Sequence, residues 1–357
     1  MTGMPRSARC VSSASRRSVS DLDDAFSAMD RAADIAALGP AHGPNPRVGC
    51  VITAPDGSVL AEGYHRGAGT RHAEADALAQ AAAAGVSVAG GTAYVTLEPC
   101  NHTGRTGPCA EALAEAGVAR VVYAVKDPNR AAAGGAAYLE SRGIPTEFAP
   151  HAGAAALNRR WLVAMGRERP YVIAKWAATL DGRTAAADGT SFWITGPWAR
   201  EHAHRVRSEV DAMVVGTGTV AIDNPELSAR PSGVDNPHQP LRIVLGERET
   251  TGSKVWRDDN AVRVASRDPR AALAVAWERE CRVVLIEGGA AVTSAFLREG
   301  LVDEVHAYIA PAILGNGPSA ASDVGIGTMA NALRGRDVTV LRLGADTLVT
   351  AQFTEAP

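Results

Sequence analysis

The sequence predicts an α/β protein of two successive layer domains, and three observations carry that prediction. Strand-like apolar runs alternate with helix-like segments along the chain, the pattern of helices packed on a largely parallel sheet. Its 357 residues suit two cores of ordinary size better than one. The alternation stops at Arg167-Glu-Arg-Pro170 and restarts at Tyr171-Val-Ile-Ala-Lys175. The boundary therefore falls at residue 168: a tail over 1–20, a first domain over 21–168 and a second over 169–357.

In the first domain, Ser20-x-x-Asp23 can cap a helix in which Leu22, Ala25, Phe26, Met29, Ala32, Ala33 and Ala36 recur at helical spacing. Strands follow over 47–53 and 59–64, joined by the turn Pro55-Asp-Gly57. A helix runs from His72 to Ala84 and stops at Gly85. Then come a strand over 92–97, a helix that Pro108 opens and Gly117 ends, a strand over 120–125 and a helix–strand pair over 136–148. A helix over 151–165 leads to the boundary. The second domain alternates through strands near 171–175, 211–215, 241–246, 282–286 and 303–309.

Composition excludes several classes of function. Apolar residues make up 46% and charged residues 21%, which is globular. A net charge of −3, a pI near 6.3 and only 5% aromatics speak against a nucleic-acid or anionic-membrane surface. No apolar run is long enough to span a membrane, and no apolar stretch near the start reads as a secretory signal. The cysteines, Cys10, Cys50, Cys100, Cys109 and Cys281, are odd in number and suit a reducing compartment. Residues 1–20 are rich in Ser and Arg without an acidic residue, a composition shared by transit peptides and by disordered tails. A disordered tail, or a start codon placed too early, on a cytoplasmic protein is the expectation.

One cluster of residues carries specific chemistry: His72-Ala-Glu74, then Glu98-Pro-Cys100, then Pro108-Cys109. One His and two Cys supply three zinc ligands and leave a fourth position for water. Glu74 shares the first helical turn with His72, near the metal without being a ligand, and can shuttle protons. The pattern is that of zinc deaminases acting on nucleobases. Cys100 follows a strand, while Cys109 and His72 open helices whose N-termini favour a thiolate. The departure is the spacing: eight residues, Asn101 to Pro108, separate the cysteines where the general pattern has two. This polar, Gly-rich loop reads as a substrate-contacting insertion.

The second domain holds two strand–glycine–helix turns, Val214-Val-Gly-Thr-Gly-Thr219 and Ile286-Glu-Gly-Gly289. Such turns cradle anions at helix N-termini, but neither is a complete G-x-G-x-x-G. A nucleotide site and plain tight turns account for them equally well.

Taken together, the motifs resemble one family, the bifunctional deaminase–reductases of riboflavin biosynthesis. In the first half the resemblance rests on Pro44-Asn-Pro-Arg-Val-Gly-Cys-Val-Ile52, Gly63-Tyr-His65, His72-Ala-Glu74, Tyr94-Val-Thr-Leu-Glu-Pro-Cys100, His102-Thr-Gly-Arg105 and Asp127-Pro-Asn129. In the second it rests on Lys175-Trp-Ala-Ala-Thr-Leu-Asp-Gly-Arg-Thr184, Ser191-Phe-Trp-Ile-Thr195, Gly216-Thr-Gly-Thr-Val220, Asp223-Asn-Pro-Glu-Leu227 and Glu287-Gly-Gly289. The eight-residue cysteine spacing is typical of this family. The resemblance implies a cytidine-deaminase-like first domain and a dihydrofolate-reductase-like second domain, each of three layers. It implies zinc on His72, Cys100 and Cys109, with Glu74 catalytic. The implied substrate is a diaminopyrimidinone bearing a ribosylamino 5′-phosphate, whose 2-amino group is replaced by oxygen. Asn45, His65, His102, Arg105, Asp127 and Asn129 fall on its substrate positions.

For the second domain the resemblance implies NADPH and reduction of the ribosyl group to ribityl. Cofactor positions fall on Ala177, Trp193, Thr219, Asp223, Gly289, Ala290, Ala291, Val292, Thr293, Ser294 and Ala295. Substrate positions fall on Ser191, Arg207, Leu227, Arg230 and Glu287, with Arg207 and Arg230 expected to hold the phosphate. Lys175 and Asp181 are candidate polar groups near the ribose. One departure is Arg130 after Asn129, with Gly134-Gly-Ala136 closing the loop where relatives commonly have Gly-x-Gly. Two alternatives stand beside this reading: a deaminase whose second domain is a non-catalytic scaffold, and a nucleic-acid editing protein on a deaminase fold. A homo-oligomer, dimer or tetramer, acting on small molecules without nucleic acid or membrane is the expectation.

Overall fold

The structure is a computed structural model that describes residues 28–102, 107–129, 132–191 and 193–354. The tail and the helix start expected at Ser20 lie outside the described residues, as do Arg105 and Arg130.

The first domain carries a sheet of five strands: β1 (Gly49–Thr53), β2 (Val59–Tyr64), β3 (Thr92–Val95), β4 (Arg120–Tyr123) and β5 (Thr146–Phe148), in the order β2-β1-β3-β4-β5. The strand β1 is antiparallel to both β2 and β3, while β3, β4 and β5 run parallel. The expected largely parallel sheet is therefore mixed here. The Pro55-Asp-Gly57 turn reverses the chain after β1, and a tight hairpin can only join antiparallel strands. Both faces are covered. On one, α2 (Ala73–Ala83), α3 (Cys109–Glu115) and α4 (Gly135–Ser141) bury Ala77, Ala110, Leu113 and Leu139 against Cys50, Ile52, Ala93 and Val95. On the other, α1 (Ala28–Ala36) and α5 (Ala152–Arg167) bury Ile35 and Ala154 against Val51 and Val122. Residues of opposite parity on β1 feed the two cores, as the period of a strand requires.

Eight strands make up the second sheet: β6 (Tyr171–Thr179), β7 (Ala212–Gly216), β8 (Leu241–Leu245), β9 (Ala261–Val264), β10 (Val283–Ile286), β11 (Glu304–Ala310), β12 (Arg336–Leu343) and β13 (Asp346–Gln352). The order is β12-β13-β11-β6-β10-β7-β8-β9, parallel from β11 to β9, with the β12–β13 hairpin antiparallel at one edge. Val172, Ala174, Val214 and Ile286 face α8 (Pro269–Glu278) and α9 (Ala290–Arg298). Tyr171, Ile173, Met213 and Leu285 face α6 (Pro197–Ser208), α7 (Thr217–Asp223) and the end of α5. Each domain is thus three layers deep. After β7 the chain moves toward β8, and after β10 it moves the opposite way toward β11. The carboxyl ends of β7 and β10 therefore form a switch point, where open α/β sheets bind ligands.

Helix α5 couples the two sheets. Asn158 brackets Arg47, accepting from its N–H (2.8 Å) and donating to its carbonyl (2.7 Å). Two residues on, Arg160 makes a two-point contact with the buried Glu304 of β11.

Candidate active sites

The first site is built from two helix starts and one strand end. His72 is the N-cap of α2, Cys109 is the first residue of α3, and Cys100 follows β3. Their ligand atoms lie within 4.8 Å of one another, with His72 Nδ1 3.5 Å from Cys100 Sγ and 3.4 Å from Cys109 Sγ. The Cys109 N–H points at Cys100 Sγ (3.5 Å), so the α3 N-terminus supports a thiolate there. The hydrogen bond between the two thiols holds Cys100 below the ordinary thiol range and Cys109 above it. One imidazole and two thiols at this separation fit a tetrahedral zinc that keeps one position open. The Glu74 carboxyl is 3% exposed, and burial pushes it up to about 7, with the charge of Cys100 adding to the effect.

A cavity of about 320 Å³ opens beside this cluster. Asn45 Nδ2 meets His65 Nε2 at 3.0 Å, and His65 Nδ1 meets the Arg71 carbonyl at 3.0 Å. The carbonyl can only accept, so His65 is protonated on Nδ1 and accepts from Asn45 through Nε2. Burial lowers the His65 pKa, consistent with a neutral ring. Asp127 takes the Asn129 N–H (2.8 Å), and burial pushes its carboxyl up to about 6. His102 lines the cavity with its Nδ1 buried and unpartnered among the described residues. Asn45, His65, His102, Asp127 and Asn129 therefore share one cavity with Glu74, His72 and Cys100.

Four lining residues with hydrogen-bonding side chains, Glu98, Trp161, Glu280 and Arg282, received no role from the sequence. Glu98 precedes the Pro-Cys pair and accepts the N–H groups of Gly134 and Ala136 (3.2 and 3.3 Å), which ties α4 to the site. The departure at Ala136 is harmless, because the helix backbone donates there whatever the side chain. Gly135 is the constrained position: a Cβ on it would lie 1.8 Å from the Pro99 carbonyl. Trp161 on α5 donates from Nε1 to the Pro44 carbonyl (2.8 Å). Glu280 and Arg282 reach the same cavity from the second domain. No local signal marks the last three, since only packing between domains brings them there.

The second site gathers at the switch point. Glu287, just past β10, receives Arg207 Nε and Nη2 at 2.7 Å each and Lys175 Nζ at 3.5 Å. Burial opposes the Glu287 charge, but Arg207 and Lys175 overcome it and hold the carboxyl well below its usual range. Arg207 is thus partly buried, its side chain 17% exposed, rather than on a solvated face, and its remaining donor Nη1 goes to the Ser228 carbonyl (3.1 Å). Arg230 stays half-exposed beside Glu226. Leu227 is buried with a positive φ of 51°. Asp181 accepts the N–H groups of Leu314 and Gly315 (3.2 and 2.6 Å), and with the Thr179 hydroxyl these hold it down to about 2. It is an ionised anchor for that loop, whereas Lys175 faces the Glu287 cluster.

Gly289 caps α9, and its N–H donates to Thr219 Oγ1 (3.1 Å), joining the two glycine turns. A Cβ on Gly218 would meet nothing within 4 Å, and one on Gly289 would meet only Thr219 Oγ1 at 3.4 Å. Backbone is therefore open to a ligand at both turns, as a pyrophosphate requires. Gly216 and Gly288 have a different cause: a Cβ on either would lie 2.7 Å from the Val292 side chain. The glycines let α9 settle between β7 and β10. Thr293 and Ser294 turn their side chains inward (1% and 2% exposed), and Ser294 Oγ accepts the Ser322 N–H. Trp193 is 62% exposed and lies against the Arg200 guanidinium, so it is not part of the core. Ser191 is exposed and Ala177 lies on β6. Asp223 ends α7, where burial raises its carboxyl pKa.

Fold and sites together define a two-domain enzyme, a zinc-dependent deaminase joined to a nucleotide-dependent reductase. Residues 23–125 match the cytidine and deoxycytidylate deaminase zinc-binding region, and residues 170–349 match the RibD C-terminal domain. The chain belongs to the RibD family, the bifunctional deaminase–reductases of riboflavin biosynthesis, with zinc and NADPH as cofactors. It is 42% identical to the riboflavin biosynthesis protein RibD of Mycobacterium tuberculosis over 312 residues, covering 86% of this chain and 91% of that one. The RibD of Escherichia coli is 38% identical over 310 residues, covering 76% and 83%. Among solved structures, Acinetobacter baumannii RibD superposes with a TM-score of 0.83 at 37% identity, covering 92% of this chain and 98% of that one. A Thermotoga maritima diaminohydroxyphosphoribosylaminopyrimidine deaminase/5-amino-6-(5-phosphoribosylamino)uracil reductase superposes at 0.81 with 30% identity, covering 92% and 98%. Both domains are present, so the reading with a non-catalytic second domain is not favoured.

Proposed function

We propose that the first site hydrolyses the 2-amino group of 2,5-diamino-6-(5-phosphoribosylamino)pyrimidin-4(3H)-one. We further propose that the second site reduces the ribosyl side chain of the resulting uracil to ribityl. The observation that carries the reading is the buried Glu74 beside His72, Cys100 and Cys109 in a cavity that also holds Asn45, His65, Asp127 and Asn129.

His72, Cys100 and Cys109 would hold zinc, which would supply an activated water at its open position. Glu74, buried beside them with a carboxyl near neutrality, would take up a proton there and release it to the departing ammonia. Asn45, oriented by His65, reads an amide edge of the ring, while Asp127 and Asn129 contact its polar groups. By the family resemblance, His102 and Arg105 supply further donors to the substrate.

In the second domain Gly289 through Ala295, with Thr219, Asp223, Ala177 and Trp193, would hold NADPH, which would supply a hydride for reduction at C1′ of the ring-opened imine. Ser191, Leu227, Arg230 and Glu287 hold the substrate. Arg207 keeps Glu287 ionised and in place, which leaves Arg230 as the freer cation for the phosphate. Lys175 Nζ donates a proton to the imine nitrogen.

The domains divide at residue 168. The protein acts in the cytoplasm on small molecules, without nucleic acid or membrane. Among the described residues no helix is long and apolar enough to cross a membrane. A homo-oligomer is supported by the edge strand β12, whose Val338, Val340 and Leu341 are exposed. The test of the functional reading is metal analysis with both assays on purified protein. One zinc per chain, ammonia release from the diaminopyrimidine and NADPH oxidation with the deaminated product are expected. Absence of ammonia release from the free pyrimidine would refute the deaminase assignment.

A further inference from the structure

The deaminase cavity has a wall that the deaminase domain does not supply. Arg282 immediately precedes β10 of the reductase sheet, yet it lines the cavity beside the zinc ligands. Its backbone is pinned: the N–H groups of Arg282 and Val283 donate to one oxygen of the Asp211 carboxylate at 2.7 and 2.8 Å. The other oxygen accepts the N–H of Gly43, which opens the segment carrying Asn45. One carboxylate thus fixes facing walls that come from different domains.

The side chain is placed as firmly. The Arg282 guanidinium lies 4.1 Å over the Trp277 ring, and Nη1 donates to the Trp277 carbonyl at 3.3 Å. Nε is buried and has no partner among the described residues. Buried donors of this kind are normally satisfied by protein, water or ligand. Arg282, Asn45, Pro46 and Trp161 also line an adjoining interdomain cavity of about 290 Å³, which the zinc ligands do not reach. Arg282 therefore stands where the deaminase cavity continues away from the metal.

Charge says what belongs there. The metal end of the cavity carries the carboxyl groups of Glu74, Glu98 and Asp127, none of which can pair with an anion. Among the described lining residues Arg282 is the one Lys or Arg; burial lowers its pKa, the Glu280 carboxylate on the same wall opposes that, and a guanidinium stays charged near neutral pH. A phosphate monoester carries nearly two negative charges and pairs with the planar guanidinium fork.

We propose that Arg282, carried by the reductase domain, is a specificity-determining residue of the deaminase, binding the phosphate monoester of the pyrimidine that enters the zinc site. This rests on the proposed phosphoribosylated substrate, and it makes deamination depend on a residue of the other domain.

The test uses the full-length zinc-loaded enzyme and its Arg282→Gln and Arg282→Lys variants. Ammonia release is measured with the phosphoribosylaminopyrimidine and with the same compound stripped of its phosphate, and reductase turnover reports folding. Arg282→Gln is expected to lower kcat/KM for the phosphorylated compound about 10- to 100-fold, mainly through KM, as loss of a charge-assisted contact does. The dephosphorylated compound is expected to lose less than about threefold, and Arg282→Lys to retain part of the phosphate preference. An unchanged preference, or equal losses on both compounds, overturns the proposal. Should Arg282→Gln fail to fold, Arg282→Lys decides, because a KM rise confined to the phosphorylated compound supports the proposal and an unaltered ratio overturns it. A wild-type enzyme that releases ammonia from neither compound refutes the substrate reading instead.

Discussion

Glu74 sits two residues after a metal ligand, in the first turn of α2, buried so fully that its carboxyl is pushed up to about 7. In the proposed mechanism that placement would let it move protons beside the metal without occupying a ligand position. Glu74→Gln keeps the size and burial but removes the titrating group. Deamination is expected to fall by about 10²-fold or more, with zinc content by metal analysis and NADPH oxidation by the second domain both retained. Loss of the reductase with the deaminase would show that the two sites are not independent. At the second site Glu287→Gln leaves the partly buried Arg207 without its counter-charge, at a cost of about 1–3 kcal/mol. Urea unfolding checks this, and an unchanged midpoint would mean that water replaces the carboxylate.

Between β2 and α2 the approach is so close that only glycine fits. A Cβ on Gly63 would lie 2.2 Å from the Ala77 nitrogen and 2.4 Å from the Ala73 carbonyl. Gly63→Ala must push α2 outward, and His72 and Glu74 move with it. The expected result is a loss of about 1–3 kcal/mol in unfolding free energy, with zinc lost to a competing chelator at lower chelator concentration. The second site offers a test with a built-in rescue. Gly216→Ala drives a methyl group into Val292 at the start of α9, and the KM for NADPH is expected to rise several-fold as that helix is displaced. Adding Val292→Ala removes the opposing methyl group and should restore most of the KM. No rescue would place the effect in the Gly216 backbone rather than in the contact.

Val163 and Ala164 of α5 share an apolar core with Tyr171, Ile173 and Met213 of the second sheet, and polar and aromatic contacts add to that join. Arg167, the last residue of α5, pairs with the buried Asp303. His42 of the first domain stacks on His238 of the second, ring centroids 3.6 Å apart and nearly parallel. Burial, with the neighbouring His238 adding to it, pushes the His42 pKa down to about 4 from the usual 6.5. The folded state therefore binds fewer protons than the unfolded chain between those values, and stability falls as pH drops from about 6.5 to about 4. The full shift corresponds to roughly 3 kcal/mol, and solvent screening at a half-buried ring reduces this to about 1 kcal/mol. Urea unfolding at pH 7 and pH 4.5 should show a steeper acid loss for the wild type than for His42→Phe, which keeps the stack and cannot titrate. Equal losses would remove His42 from the interface's pH response.

Short-range chemistry was legible from the sequence alone. Ligand types and helix starts identified His72, Glu74, Cys100 and Cys109, because each helix begins where its own capping and apolar pattern dictate. Alternation of strands and helices predicted both layer domains for the same reason. Strand direction was not legible: apolar periodicity on β1 is the same whether its neighbours run with it or against it. The β12–β13 hairpin also escaped notice, since β12 is exposed along nearly its whole length and has no buried face to imprint a pattern. The linking of Glu287 to Arg207, the role of Asp181 as a loop anchor, and the arrival of Trp161, Glu280 and Arg282 in the deaminase cavity were decided by tertiary structure. Arg207 and Glu287 are 80 positions apart, Asp181 and Gly315 are 134 apart, and Arg282 shares a cavity with Asn45, 237 positions away; no local propensity encodes such distances. The sequence by itself determined which chemistry the chain carries; packing of one domain on the other decided which residues enclose it, because only the folded chain brings both walls of the cavity together.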